Sequence, residues 1–290
     1  MPEDTPLIAD GGLATELEAR GHDLSDALWS ARLLFDAPQE ITAVHESFFR
    51  AGANIATTAS YQASFDAFAA RGIGGDETVR LLRRSVELAC DARAEVGVAG
   101  AWVAASVGPY GAALADGSEY RGRYGLRVAQ LEDWHRPRLE VLADAGADVL
   151  ALETIPDADE AEALVNVVRS LGVPAWLSYT IDGLRTRAGQ PLADAFAVTA
   201  GVPEIVAIGV NCCAPTDVLA AIGPAAETGK PVIVYPNSGE RWDAARRAWV
   251  GESRFSPRLA AQWVSAGARV VGGCCRVRPA DIADLSAALA

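Results

Sequence analysis

DVLALETIPDADEAEALVNVVRSLGVPAWLSY, residues 148–179, reads as an apolar run, a helical segment and a second apolar run. Asp148–Leu152 and Ala175–Tyr179 are short and rich in β-forming residues, whereas Ala158–Leu171 has apolar residues three or four apart, the helical period. Strand, helix and strand in that order predict two parallel strands joined by a crossover. Comparable runs recur at Leu7–Ala9, Asn54–Thr58, Trp102–Ser106, Ile205–Val210, Val232–Tyr235 and Arg269–Val271, making eight with the quoted pair. Helical periodicity fills the gaps between them, as in Ile41–Arg50. Eight such units in 290 residues fit the α/β class and a (β/α)8 TIM barrel, whose usual length is about 250 residues. No Pro- or Ser-rich linker divides the chain, so residues 1–290 are expected to form a single domain. A doubly wound open sheet would carry a glycine fingerprint at its first strand-to-helix turn, but that turn reads DGGLATEL (10–17), without GxGxxG.

Composition narrows what such a barrel can serve. The apolar fraction of 50% supplies a large core, and 25 basic against 38 acidic residues leave a formal charge of −13. A chain of that sign is not drawn to phosphate backbones or anionic bilayers, so small molecules are the expected partners, not nucleic acid or membrane. Met1–Asp10 is acidic and lacks the basic and apolar regions of a secretory leader, which points to the cytoplasm. Val96–Ala115 has the length of a membrane span, yet its four glycines and Pro109 make it a buried strand running into a loop. Five cysteines, at 90, 212, 213, 274 and 275, are too few and too crowded for a disulfide framework. The single lysine, Lys230, precedes the seventh run, at the barrel end away from the chemistry, which sets Schiff-base catalysis aside.

Barrel chemistry sits at the C-terminal ends of the strands and in the loops after them. Those places hold Asp10-Gly11-Gly12, Thr57-Thr58-Ala59-Ser60-Tyr61, Gly108–Gly111, Glu153-Thr154, Asn211-Cys212-Cys213, Pro236–Glu240 and Gly272–Cys275. A cysteine after the sixth strand and two after the eighth can converge at one mouth. Three thiolates there suit a soft tetrahedral cation, Zn2+ first, and leave a fourth position for water or substrate. The bland alternative treats the cysteines as small buried hydrophobes or a redox pair. Spacing alone also leaves Cys212 and Cys213 interchangeable, and Cys90 reads as a helix-face core residue. Asp10 and Glu153 can take an ammonium group, and the Gly11-Gly12 amides can approach a carboxylate closely because no Cβ intervenes. The plainer readings are a strand-to-helix turn for Asp10–Gly12 and a salt-bridged rim residue for Glu153. His22, His45 and His135 lie away from the strand ends, as surface or packing residues. Trp29 and Trp242 lie near rim loops, where an indole can stack on a cation, although packing explains them as well.

DGGLATEL (10–17), RAGANIATTASYQAS (50–64), SVGPYGA (106–112), LALETIP (150–156), GVNC (209–212), YPNSGERWD (235–243) and GGCC (272–275) together resemble the homocysteine S-methyltransferase family, in family order and over nearly the whole chain. The resemblance implies a (β/α)8 barrel and a Zn2+ held by Cys212, Cys274 and Cys275, with Cys213 an extra residue. It implies homocysteine recognition by Asp10, Gly11, Gly12 and Glu153 and a weaker donor-side assignment of Asn237 and Glu240; from their places after the strands, Thr58 and Asn211 are added on the acceptor side, Asn211 being otherwise a turn residue, and Tyr61 on the donor side. The implied reaction moves a methyl group from a sulfonium, S-methylmethionine before S-adenosylmethionine, to the thiol of homocysteine, giving methionine. Selenocysteine as acceptor, betaine as donor, or a non-enzymatic zinc-binding or redox-sensing protein are the competing readings.

Overall fold

The computed structural model describes residues 5–24, 28–243 and 248–290. Eight parallel strands form one sheet: β1 (Leu7–Ile8), β2 (Ile55–Thr57), β3 (Trp102–Val107), β4 (Val149–Ile155), β5 (Ala175–Tyr179), β6 (Ile205–Asn211), β7 (Val232–Tyr235) and β8 (Ala268–Val271). Each pairs with its neighbour in chain order, β8 returns to β1, and an Ala9–Ile55 bridge joins β1 to β2 and closes the ring. Asn54 reinforces the seam, its Oδ1 accepting from Ile8 N at 2.9 Å and its own N donating to Ile8 O at 2.6 Å. The expected (β/α)8 barrel is therefore the fold.

The quoted unit shows why the local sequence behaves this way. Asp157 caps the helix Ala158–Leu171 by accepting from Asp159 N at 3.2 Å, and Gly172 ends it at φ +65°. Ala161, Leu164, Val165 and Val168 form its buried face against the sheet. Inside the ring, Ala9, Ile55, Ala104, Val149, Ala151, Trp176, Ala207, Ile233 and Val270 make a separate apolar cluster. Strand side chains alternate between faces, so the inward parity set by these residues carries upward to Ser106, Glu153, Ser178, Asn211 and Tyr235. The interior is thus apolar below and polar at its top.

Boundaries differ from the sequence reading where polar residues are built into the sheet. The fourth strand continues past Leu152 to Ile155 and the sixth to Asn211, so Glu153 and Asn211 belong to strands and not to the loops after them. Pro109 is followed by a short helix, Tyr110–Leu114. Lys230 donates to Val202 O and Ile205 O at 2.9 and 2.8 Å, at the opposite barrel end, and no helix among the described residues is long and apolar enough to cross a membrane.

Candidate metal centre

Cys212 follows β6 directly, and Cys274 and Cys275 follow β8 after Gly272-Gly273. A Cβ on Gly272 would stand 2.7 Å from Ala9 Cβ, and one on Gly273 would collide with Val277, so the chain makes this turn only without side chains. The loop after β7 sutures the two cysteine segments together. Pro236 O accepts from Cys274 N at 2.8 Å, Cys275 O accepts from Ser238 N at 3.0 Å, and Cys213 O accepts from Asn237 N at 3.0 Å. Asn237 Oδ1 also accepts from Cys275 N at 3.2 Å. The outcome is a trio: Cys212 Sγ lies 2.8 Å from Cys274 Sγ and 3.7 Å from Cys275 Sγ, with all three sulfurs within 4.8 Å of one another.

A tetrahedral Zn2+ with bonds of about 2.3 Å separates its sulfurs by roughly 3.8 Å, so small side-chain rotations fit the trio to such an ion. Sulfur donors select soft cations, and no fourth Cys, His, Asp or Glu joins the group among the described residues. The Cys274 and Cys275 thiols point at Cys212 and hold its thiol well below the ordinary range, while their contacts with it push their own well above. The lowered Cys212 thiol favours an incoming cation, and a metal on all three sulfurs must displace protons. Cys213 faces the other way, buried in the apolar layer between strands and helices, and burial pushes its thiol up. Cys90 is half-buried on its helix beside Arg93.

Below the sulfurs lies a buried polar floor. Asp10 accepts from Thr57 N at 2.7 Å and Thr57 Oγ1 at 3.0 Å, and burial pushes its carboxyl up to about 8. Glu153 accepts from the Ser106 hydroxyl in a short contact, and burial pushes it up to about 7. Trp176 Nε1 donates to Tyr235 Oη at 2.9 Å. The charge of Glu153 also raises Asp10, so the two carboxylates feel each other across the buried interior. An ammonium group is the natural cation for that pair.

Several residues expected to face substrate have other partners. Ser60 Oγ donates to Ser106 O at 2.7 Å and Ser106 N to Thr58 Oγ1 at 3.0 Å, so the Thr58 hydroxyl spends its proton on Ser60 Oγ at 2.7 Å. Gly12 N donates to Val277 O at 2.9 Å, and a Cβ on Gly12 would stand 2.7 Å from Cys274 O. Gly11 is equally close-packed, with Val277 O 2.5 Å from where its Cβ would be. The glycines let the cysteine turn approach β1, and the Gly12 amide is already committed. Glu240 accepts from Ser238 Oγ at 2.9 Å and pairs with Arg276 at 3.2 Å, and the Tyr61 ring packs over Gly108, where a Cβ would stand 2.8 Å from it. The Trp29 and Trp242 side chains lie outside the described residues. His22 pairs with Glu40 at 3.4 Å, and His45 and His135 are buried, so none of the three joins the trio.

Asn211 is a strut. Its Oδ1 accepts from Thr154 N at 2.7 Å and Ser178 Oγ at 2.8 Å, and its Nδ2 donates to Thr154 Oγ1 at 2.8 Å. Those bonds hold a β-branched residue at φ +59° beside Glu153, and the next residue, Cys212, at φ +49°. Such backbone costs on the order of 1–3 kcal/mol per residue and persists only where neighbours over-determine it. Asn211→Ala strands the Thr154 amide and the Ser178 hydroxyl, and is expected to cost about 3 kcal/mol. Thermal unfolding should show a Tm lowered by roughly 5–10 °C. An unchanged Tm would remove Asn211 from this role.

Sequence reasoning passed over Ser106, Ser178 and Tyr235, which strand parity could have placed inside, and also Glu119 and Tyr120. Tyr120 sits on a 3-10 turn, Ser118–Tyr120, with its hydroxyl 3.8 Å from Cys212 Sγ. No strand end signals that loop.

Comparison with known proteins agrees with this geometry. A family model described as homocysteine S-methyltransferase matches residues 7–289. A homocysteine S-methyltransferase of Escherichia coli K12 is 49% identical over 292 residues, covering 97% of this chain and 94% of the relative. A selenocysteine Se-methyltransferase of Brassica oleracea is 42% identical over 299 residues, covering 95% and 86%. Among solved structures, the metallated form of the Escherichia coli homocysteine methyltransferase MmuM superposes with a TM-score of 0.88 at 46% identity, covering 98% of this chain and 96% of that one.

Proposed function

The chain belongs to the homocysteine S-methyltransferase family, a family of enzymes, and on that premise we propose that it transfers a methyl group from a sulfonium donor, S-methylmethionine first, to homocysteine, using Zn2+ held by Cys212, Cys274 and Cys275. A thiophilic dication on three sulfurs lowers the pKa of an incoming thiol near 8.5 and keeps it nucleophilic at neutral pH. The observation that carries this reading is the sulfur trio itself, with no fourth protein ligand among the described residues. A structural or storage site would fill that position.

The chain's own residues do the rest. Asp10 and Glu153 hold the acceptor's ammonium beneath the sulfurs, which fixes its thiol toward the mouth. Because the Gly12 amide is committed, the Gly11 amide is the one left for the acceptor's carboxylate. Asn211 and Asn237 position the ligand segments through the bonds described above. The homocysteine sulfur supplies the electron pair of the new S–CH3 bond, and the donor's S–CH3 pair returns to its own sulfur as a neutral thioether. Both charges of the reacting pair vanish, so alignment contributes much of the rate.

A methyl-transfer assay tests the reading directly, with homocysteine and S-methylmethionine, S-adenosylmethionine or betaine in turn, with and without a zinc chelator. Turnover should be fastest with S-methylmethionine, cease on chelation and return with added Zn2+. Chelator-insensitive turnover would refute the mechanism. The Brassica relative makes selenocysteine the second acceptor to assay.

A further inference from the structure

Glu119 is the acidic side chain near the sulfurs that the acceptor does not use. Its Oε2 is buried and has no hydrogen-bond partner among the described residues. Burial comes first among the causes that raise its carboxyl, and the negative charge of Cys212 adds to it; Tyr61 in turn feels the charge of Glu119. Glu119 is next in chain to Tyr120 on the same turn, and the Tyr120 hydroxyl lies 3.8 Å from Cys212 Sγ, so the turn stands at the mouth beside the trio. That turn is fixed in place. A Cβ on Gly111 would come within 2.5 Å of Glu119 N, Ser118 N donates to Asp116 Oδ1 at 2.9 Å, and Arg123 N donates to Asp157 Oδ2 at 2.9 Å. The nearby Arg121 is turned toward Asp116, 3.6 Å away.

A carboxylate oxygen held away from water with no donor is costly unless a cation arrives. On the methyl-transfer reading above, on which this step rests, the acceptor's ammonium is satisfied below by Asp10 and Glu153. The donor's methyl must point at the acceptor sulfur from the mouth, so the cation bearing that methyl lies on the side of Tyr120 and Glu119. We propose that Glu119 receives the donor's sulfonium and is a specificity-determining residue for it. A sulfonium has no N–H or O–H, so only negative charge and aromatic faces recognise it, and a buried carboxylate oxygen next in chain to Tyr120, whose hydroxyl is 3.8 Å from Cys212 Sγ, supplies the charge. After transfer the donor sulfur is a neutral thioether, the attraction is gone, and the spent donor leaves.

The test is calorimetric titration of the metal-loaded enzyme, without homocysteine, with S-methylmethionine and with methionine, whose sulfur is uncharged. Glu119→Gln should weaken S-methylmethionine at least about tenfold, a loss of roughly 1.4 kcal/mol, and leave methionine within about twofold. In steady state the donor KM should rise while kcat does not fall, since the contact weakens as the charge disappears, and the homocysteine KM should stay within about twofold. Unchanged S-methylmethionine affinity, or equal weakening of both ligands, would overturn the assignment. If the unmodified enzyme transfers no methyl from any sulfonium, the reaction itself is wrong. If it transfers normally and Glu119→Gln binds the donor as before, only the role of Glu119 fails.

Discussion

Serine at any one of positions 212, 274 or 275 is expected to remove stoichiometric metal and to lower methyl transfer by about a thousandfold or more. Three-sulfur ligation is the reason. An apparent binding free energy of about 10–16 kcal/mol for structural Zn2+ over four ligands assigns roughly 2.5–4 kcal/mol to each, before the geometry of the site is lost as well, and serine at neutral pH offers a protonated oxygen in place of a thiolate. Each cysteine also acts on the others, since the Cys274 and Cys275 thiols lower the Cys212 thiol, so removing one alters the electrostatics of the whole trio. Cys213→Ala is the informative control. Cys213 is one residue from a ligand but lies in the apolar layer outside the barrel, so its variant should keep full metal and turnover and lose only packing stability. Metal content by atomic emission, read beside turnover, decides the matter. Full metal in Cys275→Ser, or its loss in Cys213→Ala, would show that another set of ligands holds the ion.

The contrast between Cys212 and Cys213 also shows what a sequence can express. Strand periodicity and the run of eight units report burial directly, because burial is what those patterns encode, and the barrel followed from them. The cysteine cluster was legible because cysteine has few reasons to stand at two strand ends together, although spacing alone left Cys212 and Cys213 interchangeable. Polar residues at the same ends carry less information. Thr58, Asn211 and Asn237 are polar where substrate is expected, yet a buried polar layer must first satisfy itself, and these residues bind Ser60, Thr154 and Cys275 respectively. Whether an oxygen faces a ligand or another strand depends on register between strands remote in sequence, such as Ser178 opposite Gly209, and one chain read alone does not reveal it. Gly11 and Gly12 fall in the same class: both readings need the missing Cβ, and only the position of the 274–277 turn shows which neighbour takes the space. Glu119 and Tyr120 lie outside any strand end, so the barrel rule passes over them.

Glu153→Gln should separate function from stability in opposite directions. The amide keeps the shape, and its oxygen accepts from Ser106 as the carboxylate does. An ammonium bound in this buried site then loses one of its two negative partners, and breaking such a pair costs about 2–5 kcal/mol. The kcat/KM for homocysteine should fall on the order of 10²–10³-fold, mostly through KM, while the donor KM changes little. Stability should rise. Burial moves the Glu153 carboxyl from 4.5 to about 7 in the folded protein, so between those values the folded chain holds a proton that the unfolded chain has released. Stability from this group is therefore lost as pH rises across that window, by about 3 kcal/mol at pH 8, and none of it is lost when the residue is Gln. The ligand-free variant should unfold at a Tm higher by roughly 5–10 °C at pH 8, and the gap should close below pH 4.5. Asp10, pushed up to about 8 mainly by its own burial, contributes to both proteins, and because the Glu153 charge also raises it, the variant relieves Asp10 slightly and the gap at pH 8 widens in the same direction. An unchanged homocysteine KM would take Glu153 out of ammonium binding. A Tm gap of the same size at every pH would show that the gain comes from packing and not from relief of a buried charge, because only the charge carries the pH dependence.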